Sequence, residues 1–243
     1  PGEESPGGAK TICDTGLLEQ HHVTAVFGLH LWPNLEKGTM FTRKNELMAR
    51  ASELTVDVYG KSTHIANPSG GQDALPAAVE FYQKMRLLEQ SLPDDVFRLL
   101  NIGQFHSGTV RNALSSHAHM EGSLRAFRDD IFDYLRDGLY RIAEEVEQNS
   151  GCTVSIRMSE GYPAVWNPET LVARVLEIAP VRLLEKPTMT SEDFSHYQKH
   201  VPGVFFFLGL GDVPALHSAD FDFDESILLK GADFFGKLAE DFL

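Results

Sequence analysis

Glu3 and Glu4 form an adjacent carboxylate pair just before a glycine-rich turn, Pro6-Gly7-Gly8. Two neighbouring carboxylates do not share a site comfortably unless a cation offsets their repulsion. One use of such a pair gives one carboxylate to a metal and leaves the other as a base toward water. A solvated acidic pair is the alternative. His30 sits in Phe27-Gly28-Leu29-His30-Leu31-Trp32-Pro33, near the carboxyl end of an apolar stretch. In α/β folds ligand sites gather at strand carboxyl ends, and a structural histidine is the competing reading. His217 lies in Leu216-His217-Ser218-Ala219-Asp220-Phe221, with Asp220 close enough to be partner or bystander. His117 and His119 are two apart and so share one face of a strand. They suit either a metal or a solvated face. His21, His22, His196 and His200 fall in polar surroundings and read as surface residues, while Cys13 and Cys152 read as small apolar ones.

These residues need elements to position them. Residues 23–31 (VTAVFGLHL) are apolar and β-branched, which predicts a buried strand, and an extended segment follows through Thr42. Residues 53–59 alternate as a half-buried strand does. Residues 73–89 carry Leu75, Ala78, Val79, Tyr82, Met85 and Leu88 at helical spacing. Residues 97–105 and 117–127 are extended, 131–148 form an amphipathic helix, and 153–158 alternate again. The order strand, helix, strand, strand, helix, strand predicts a ferredoxin-like α+β unit over residues 47–162. On either side, residues 1–46 and 163–243 read as α/β. They include a helix from Glu169, a helix start at Ser191 with serine as cap, a buried strand at Val204–Leu208 and a last helix from Glu225. An inserted domain is the economical reading.

The chain has 243 residues, 42% of them hydrophobic, and a formal net charge of -14. A field of that sign repels phosphate backbones, which argues against nucleic acid as a partner. No apolar run approaches the roughly 18 residues of a membrane-spanning helix, so no membrane partner is expected. Two cysteines build no disulfide framework, and the cytoplasm is the expected location.

Six segments occur in a telling order. They are Pro1-Gly2-Glu3-Glu4 with Pro6-Gly7-Gly8-Ala9, Phe27-Gly28-Leu29-His30, Gly108-Thr109-Val110-Arg111-Asn112, Glu121-Gly122-Ser123-Leu124-Arg125, Met189-Thr190-Ser191-Glu192-Asp193-Phe194 and Leu216-His217-Ser218. Together they resemble the aminoacylase/carboxypeptidase metallohydrolase family, in its branch of hippurate hydrolases, auxin-conjugate hydrolases and N-acetyldiaminopimelate deacetylases. The resemblance implies a zinc-exopeptidase-like catalytic domain with the 47–162 insertion as a lid and dimerisation domain. It implies a small-molecule N-acyl amino acid substrate and two divalent metal ions, Zn, Mn, Co or Ni. Glu3 matches the general base, and Glu4, His30 and His217 match metal ligands. His64, in Lys61-Ser62-Thr63-His64-Ile65-Ala66, matches the lid histidine that polarises the scissile carbonyl. Asn112 and Arg125 match lid residues that approach the substrate, and Glu192 matches the rim of the site. A homodimer through the lid is implied as well.

The chain departs from that pattern in two places. The branch carries a Cys-Gly-His-Asp type motif upstream of the paired glutamates, whereas this chain begins at the glutamates. A piece of a longer enzyme, or a metal-poor inactive relative, would each account for this; an opening without Met favours the former. A glycine pair before the lid histidine is replaced by Ser62-Thr63. Two other functions remain open at this stage: a dipeptidase, and a non-catalytic fragment whose middle domain serves binding or dimerisation.

Overall fold

The computed structural model of the chain describes residues 7–242. Glu3 and Glu4 lie outside the described residues. Helices α1 (Gly8–Asp14) and α2 (Leu17–Gln20) come first, followed by strands β1 (Val26–Trp32), β2 (Met40–Thr42) and β3 (Asn45–Met48). Next are β4 (Arg50–Tyr59), α3 (Ala74–Gln90), β5 (Arg98–Ser107), β6 (His117–Ala126), α4 (Asp129–Ser150) and β7 (Thr153–Met158). The chain closes with β8 (Val165–Asn167), α5 (Glu169–Ile178), β9 (Arg182–Leu183), a 3-10 segment (Asp193–Lys199), β10 (Gly203–Gly209) and α6 (Leu228–Phe242). Two compact units result. One holds the described residues through Ala49 and from Tyr162 onward, and the other is Arg50–Gly161.

In the first unit the sheet order is β1-β10-β2-β9, with β1 parallel to β10. β10 reads as an unbroken apolar run because both of its faces are covered. Val204, Phe206 and Leu208 pack with Val172 and Val175 of α5 and with Phe234 and Leu238 of α6. Phe205 and Phe207 point the other way, into a cluster with Leu47, Val165 and Phe194. Each such side chain contributes about 1.5–3 kcal/mol on burial. β1 is half-buried along its length, and among the described residues β10 is its one partner strand. Gly28 within it is required by crowding. A Cβ there would lie 2.9 Å from ring carbons of both Phe194 and Phe205. β3 and β8 pair as a separate two-stranded ribbon.

The second unit is a four-stranded antiparallel sheet, β5-β6-β4-β7, with α3 and α4 against one face. Strand alternation sorts its residues. Leu54, Val56, Val58, Ala118, Met120 and Leu124 enter the core with Phe81, Leu135 and Leu139 of the helices. The intervening positions form the opposite, polar face. α3 starts at Asp73, whose side chain accepts the Leu75 N–H, and α4 ends at Gly151 in the left-handed region. α3 is the helix that the apolar spacing predicts, and of those positions Ala78 and Met85 are buried. Ala74, Ala77, Ala78, Phe81 and Met85 are inside, whereas Leu75, Val79 and Tyr82 are exposed.

Candidate active site

β1 and β10 run parallel in a register that pairs His30 with Phe207. The chain leaves both strands side by side, with Leu210 N–H donating to Trp32 O at 2.9 Å and Asn34 N–H to Gly211 O at 2.8 Å. His30 and the loop bearing His217 therefore share the carboxyl end of one parallel strand pair, where α/β folds place ligands. His217 is exposed. Its φ of 66° places a non-glycine residue in the left-handed region. That conformation is uncommon outside turns and functional sites. The loop around it is held by its own turns, Ser218 N–H to Ala215 O at 3.0 Å and Phe221 N–H to Ser218 O at 3.1 Å. Its far end is tied by Lys37 Nζ, 2.8 Å from Asp224 Oδ2.

The His30 ring is oriented by its own backbone. Nδ1 lies 2.7 Å from Leu31 O, and Trp32 meets the ring edge-on at 6.1 Å. A carbonyl oxygen only accepts, so Nδ1 carries the proton, and in the neutral ring Nε2 keeps its lone pair. Metal-binding histidines are held in this way, the second nitrogen donating to a carbonyl. The donor chemistry of His30 therefore fits a divalent cation.

Met189–Phe194 also belongs to the first unit. Glu192 is buried and caps the 3-10 segment, accepting the Phe194 N–H at 3.4 Å; Ser191, the cap expected from sequence, does not hold that position. Asp193 is buried too, and its Oδ2 accepts the Ala9 N–H at 2.8 Å. Sequence reasoning missed Asp193 because nothing local marks a partner 184 residues away. Cys13 of α1 is buried, and burial, with Asp14 and Glu19 nearby, pushes its thiol up, away from the reactive thiolate.

The other three sequence-derived residues lie in the second unit. His64 and Asn112 are brought together by backbone bonds: Ile65 N–H to Asn112 O at 3.0 Å and Leu114 N–H to Thr63 O at 2.9 Å. The His64 ring is set opposite to that of His30. Ala66 N–H donates to its Nδ1 at 3.2 Å, so the neutral ring carries its proton on Nε2. His64 is exposed and presents that N–H as a donor. Beside it, Thr63 Oγ1 is buried without a hydrogen-bond partner among the described residues, a cost of having threonine rather than glycine in this loop. Arg125, on β6, donates from Nε to Ser123 Oγ at 3.2 Å and lies on the polar face of the sheet.

The model of peptidase family M20/M25/M40 matches residues 1–241. N-acetyldiaminopimelate deacetylase of Lacticaseibacillus paracasei is 32% identical over 95% of this chain and 63% of its own length. That of Leuconostoc mesenteroides is 31% identical over 95% of the chain and 62% of its own length. Among solved structures, the Bacillus subtilis YXEP protein, a dinuclear metal binding peptidase from the M20 family, matches with a TM-score of 0.80 and 25% identity over 98% of this chain and 62% of its own. The chain thus spans somewhat under two thirds of the length of these relatives.

Proposed function

Because the chain belongs to peptidase family M20/M25/M40, we propose that the protein hydrolyses the amide bond of N-acyl amino acids, with N-acetyldiaminopimelate the leading substrate and benzoylglycine-like hippurates next. The observation that carries this reading is the orientation of His30, with its Nδ1 proton on Leu31 O and its Nε2 left for a cation. The similarity to deacetylases supports the substrate class.

In this reading the first unit is the catalytic domain and the second a ferredoxin-like lid. Glu4, His30 and His217 hold two divalent metal ions, Zn, Mn, Co or Ni. When bound, these ions polarise the substrate carbonyl and make water acidic enough to be deprotonated near neutral pH. Glu3 takes the proton from the attacking water and returns it to the departing amine as the C–N bond breaks. His64, with its proton on Nε2, donates to the oxygen that gains charge as the water adds. Asn112 and Arg125 orient the substrate from the lid, and Glu192 approaches it at the rim of the site. Exposed Leu75, Val79 and Tyr82 on α3 support a homodimer formed through the lid. The cytoplasm is the proposed location, in keeping with two free cysteines.

The test is release of free amine by the intact protein, loaded in turn with each metal, from N-acetyldiaminopimelate, benzoylglycine, other N-acetyl amino acids and dipeptides. Acyl substrates should exceed dipeptides by at least about tenfold, equivalent to 1.4 kcal/mol at the transition state. Faster cleavage of dipeptides would make the protein a dipeptidase. Release from none would leave a binding or dimerisation module.

A further inference from the structure

The polar face of the second unit gathers three ligand-type side chains at one point. Asp57 of β4 and His117 and His119 of β6 each offer one ligand atom, and all three atoms lie within 4.8 Å of one another. The sheet register causes this. Asp57 pairs with His119 and Tyr59 with His117, so strand alternation brings these side chains onto one face, opposite the core.

Asp57 Oδ1 lies 2.9 Å from His117 Nε2 and 2.8 Å from His119 Nδ1, while Arg157 donates to Oδ2 at 2.8 Å. Asp57 is only 3% exposed, although Glu121 and Arg157 around it are exposed. A buried carboxylate needs such partners, and a bare hydrogen-bond cluster is the competing account. The far side of His119 favours a cation. Its Nε2 is 3.3 Å from Glu121 Oε1, so this ring faces a carboxylate at each nitrogen. Without a metal it needs two protons to satisfy both. With a metal on Nδ1, a single proton on Nε2 suffices and Glu121 holds it, the carboxylate–histidine–metal arrangement of many sites. His117 is fixed as well, its ring stacked on Tyr59 at 5.1 Å and 18°.

We infer that Asp57, His117 and His119 form a site for one divalent cation of the zinc class, bound by one carboxylate oxygen and two imidazole nitrogens, separate from the strand-end histidines of the first unit. Three protein donors leave the fourth position of a tetrahedron open. His117 and His119 also line a cleft of about 170 Å³ with Ser62, His106, Ser107 and Thr109, so water or a small ligand from that cleft completes the set. The cation ties β4 to β6 beside the loop that carries His64, two residues beyond Ser62.

The test is equilibrium binding of Zn2+, and the visible spectrum of Co2+, with the chain of residues 1–243. A tetrahedral Co2+ spectrum and a bound zinc ion should persist in His30→Ala and His217→Ala. Both should be lost in His117→Ala and His119→Ala, and Glu121→Gln should weaken zinc by the roughly 10–100-fold typical of an outer-shell partner. His117 is exposed, so its variant keeps the fold, as urea unfolding would verify. Zinc bound with unchanged stoichiometry and affinity in both histidine variants overturns the assignment, and so does the absence of any zinc that survives loss of His30 and His217. None of these readings depends on hydrolysis.

Discussion

Asp193 Oδ2 accepts the backbone N–H of Ala9 at 2.8 Å, joining the first turn of α1 to a motif 184 residues further along the chain. α1 has no side-chain cap of its own at Gly7. Asp193 supplies the missing acceptor from a distance and places a carboxylate where the helix dipole favours one. A Cβ on Gly7 would lie 3.0 Å from the same Oδ2, so glycine there lets the carboxylate approach. Asp193→Ala should cost about 1–3 kcal/mol, the usual penalty for a buried donor left unmade. Urea unfolding and exchange of the Ala9 amide measure it; an unchanged amide exchange rate would remove Asp193 from this role.

Lys37 and the Ser226 N–H hold the Asp224 carboxyl down to about 2, against an ordinary 3.8. A depressed folded-state value means that the contribution is present above 3.8 and is lost as pH falls toward 2. Asp224 closes the loop that carries His217. The urea midpoint of the wild type should therefore exceed that of Asp224→Asn at pH 5, and the gap should close on acidification. The pair is exposed, so the gap is small and shrinks in high salt. A gap that widens at low pH contradicts the account.

His64→Ala in the intact protein should lower kcat about 10²–10³-fold with little change in KM, as expected for a donor used only at the transition state. His64→Gln, which keeps a donor, should recover part of the loss. A rise in KM alone would instead make His64 a plain binding residue.

Much of this was legible in the sequence, and the gaps have physical causes. The helix from Glu169 and the strand at Val204–Leu208 were readable because periodicity and length agreed there. The spacing in α3 marked Ala78 and Met85, which are buried, together with Leu75, Val79 and Tyr82, which are exposed. Ala74 and Ala77, small residues that apolar bulk does not single out, are buried in the same core. The β3–β8 ribbon was invisible because its strands are short and its pairing is non-local. In the candidate site, His30 and His217 were marked by motif and place, but the proton on His30 Nδ1 depends on one backbone carbonyl that only coordinates reveal. Asp57 gave a faint signal: it is a charge between Val56 and Val58 in an alternating strand. Its partners His117 and His119 lie 60 and 62 residues away and required the register.

Turnover of N-acetyldiaminopimelate by Glu3→Gln in the intact protein, with bound metal quantified on the same sample, tests the central claim most directly. Loss of turnover by several orders of magnitude with metal content unchanged is the expected result, because glutamine cannot take the proton from water yet leaves Glu4, His30 and His217 in place. Full turnover in that variant would contradict the account.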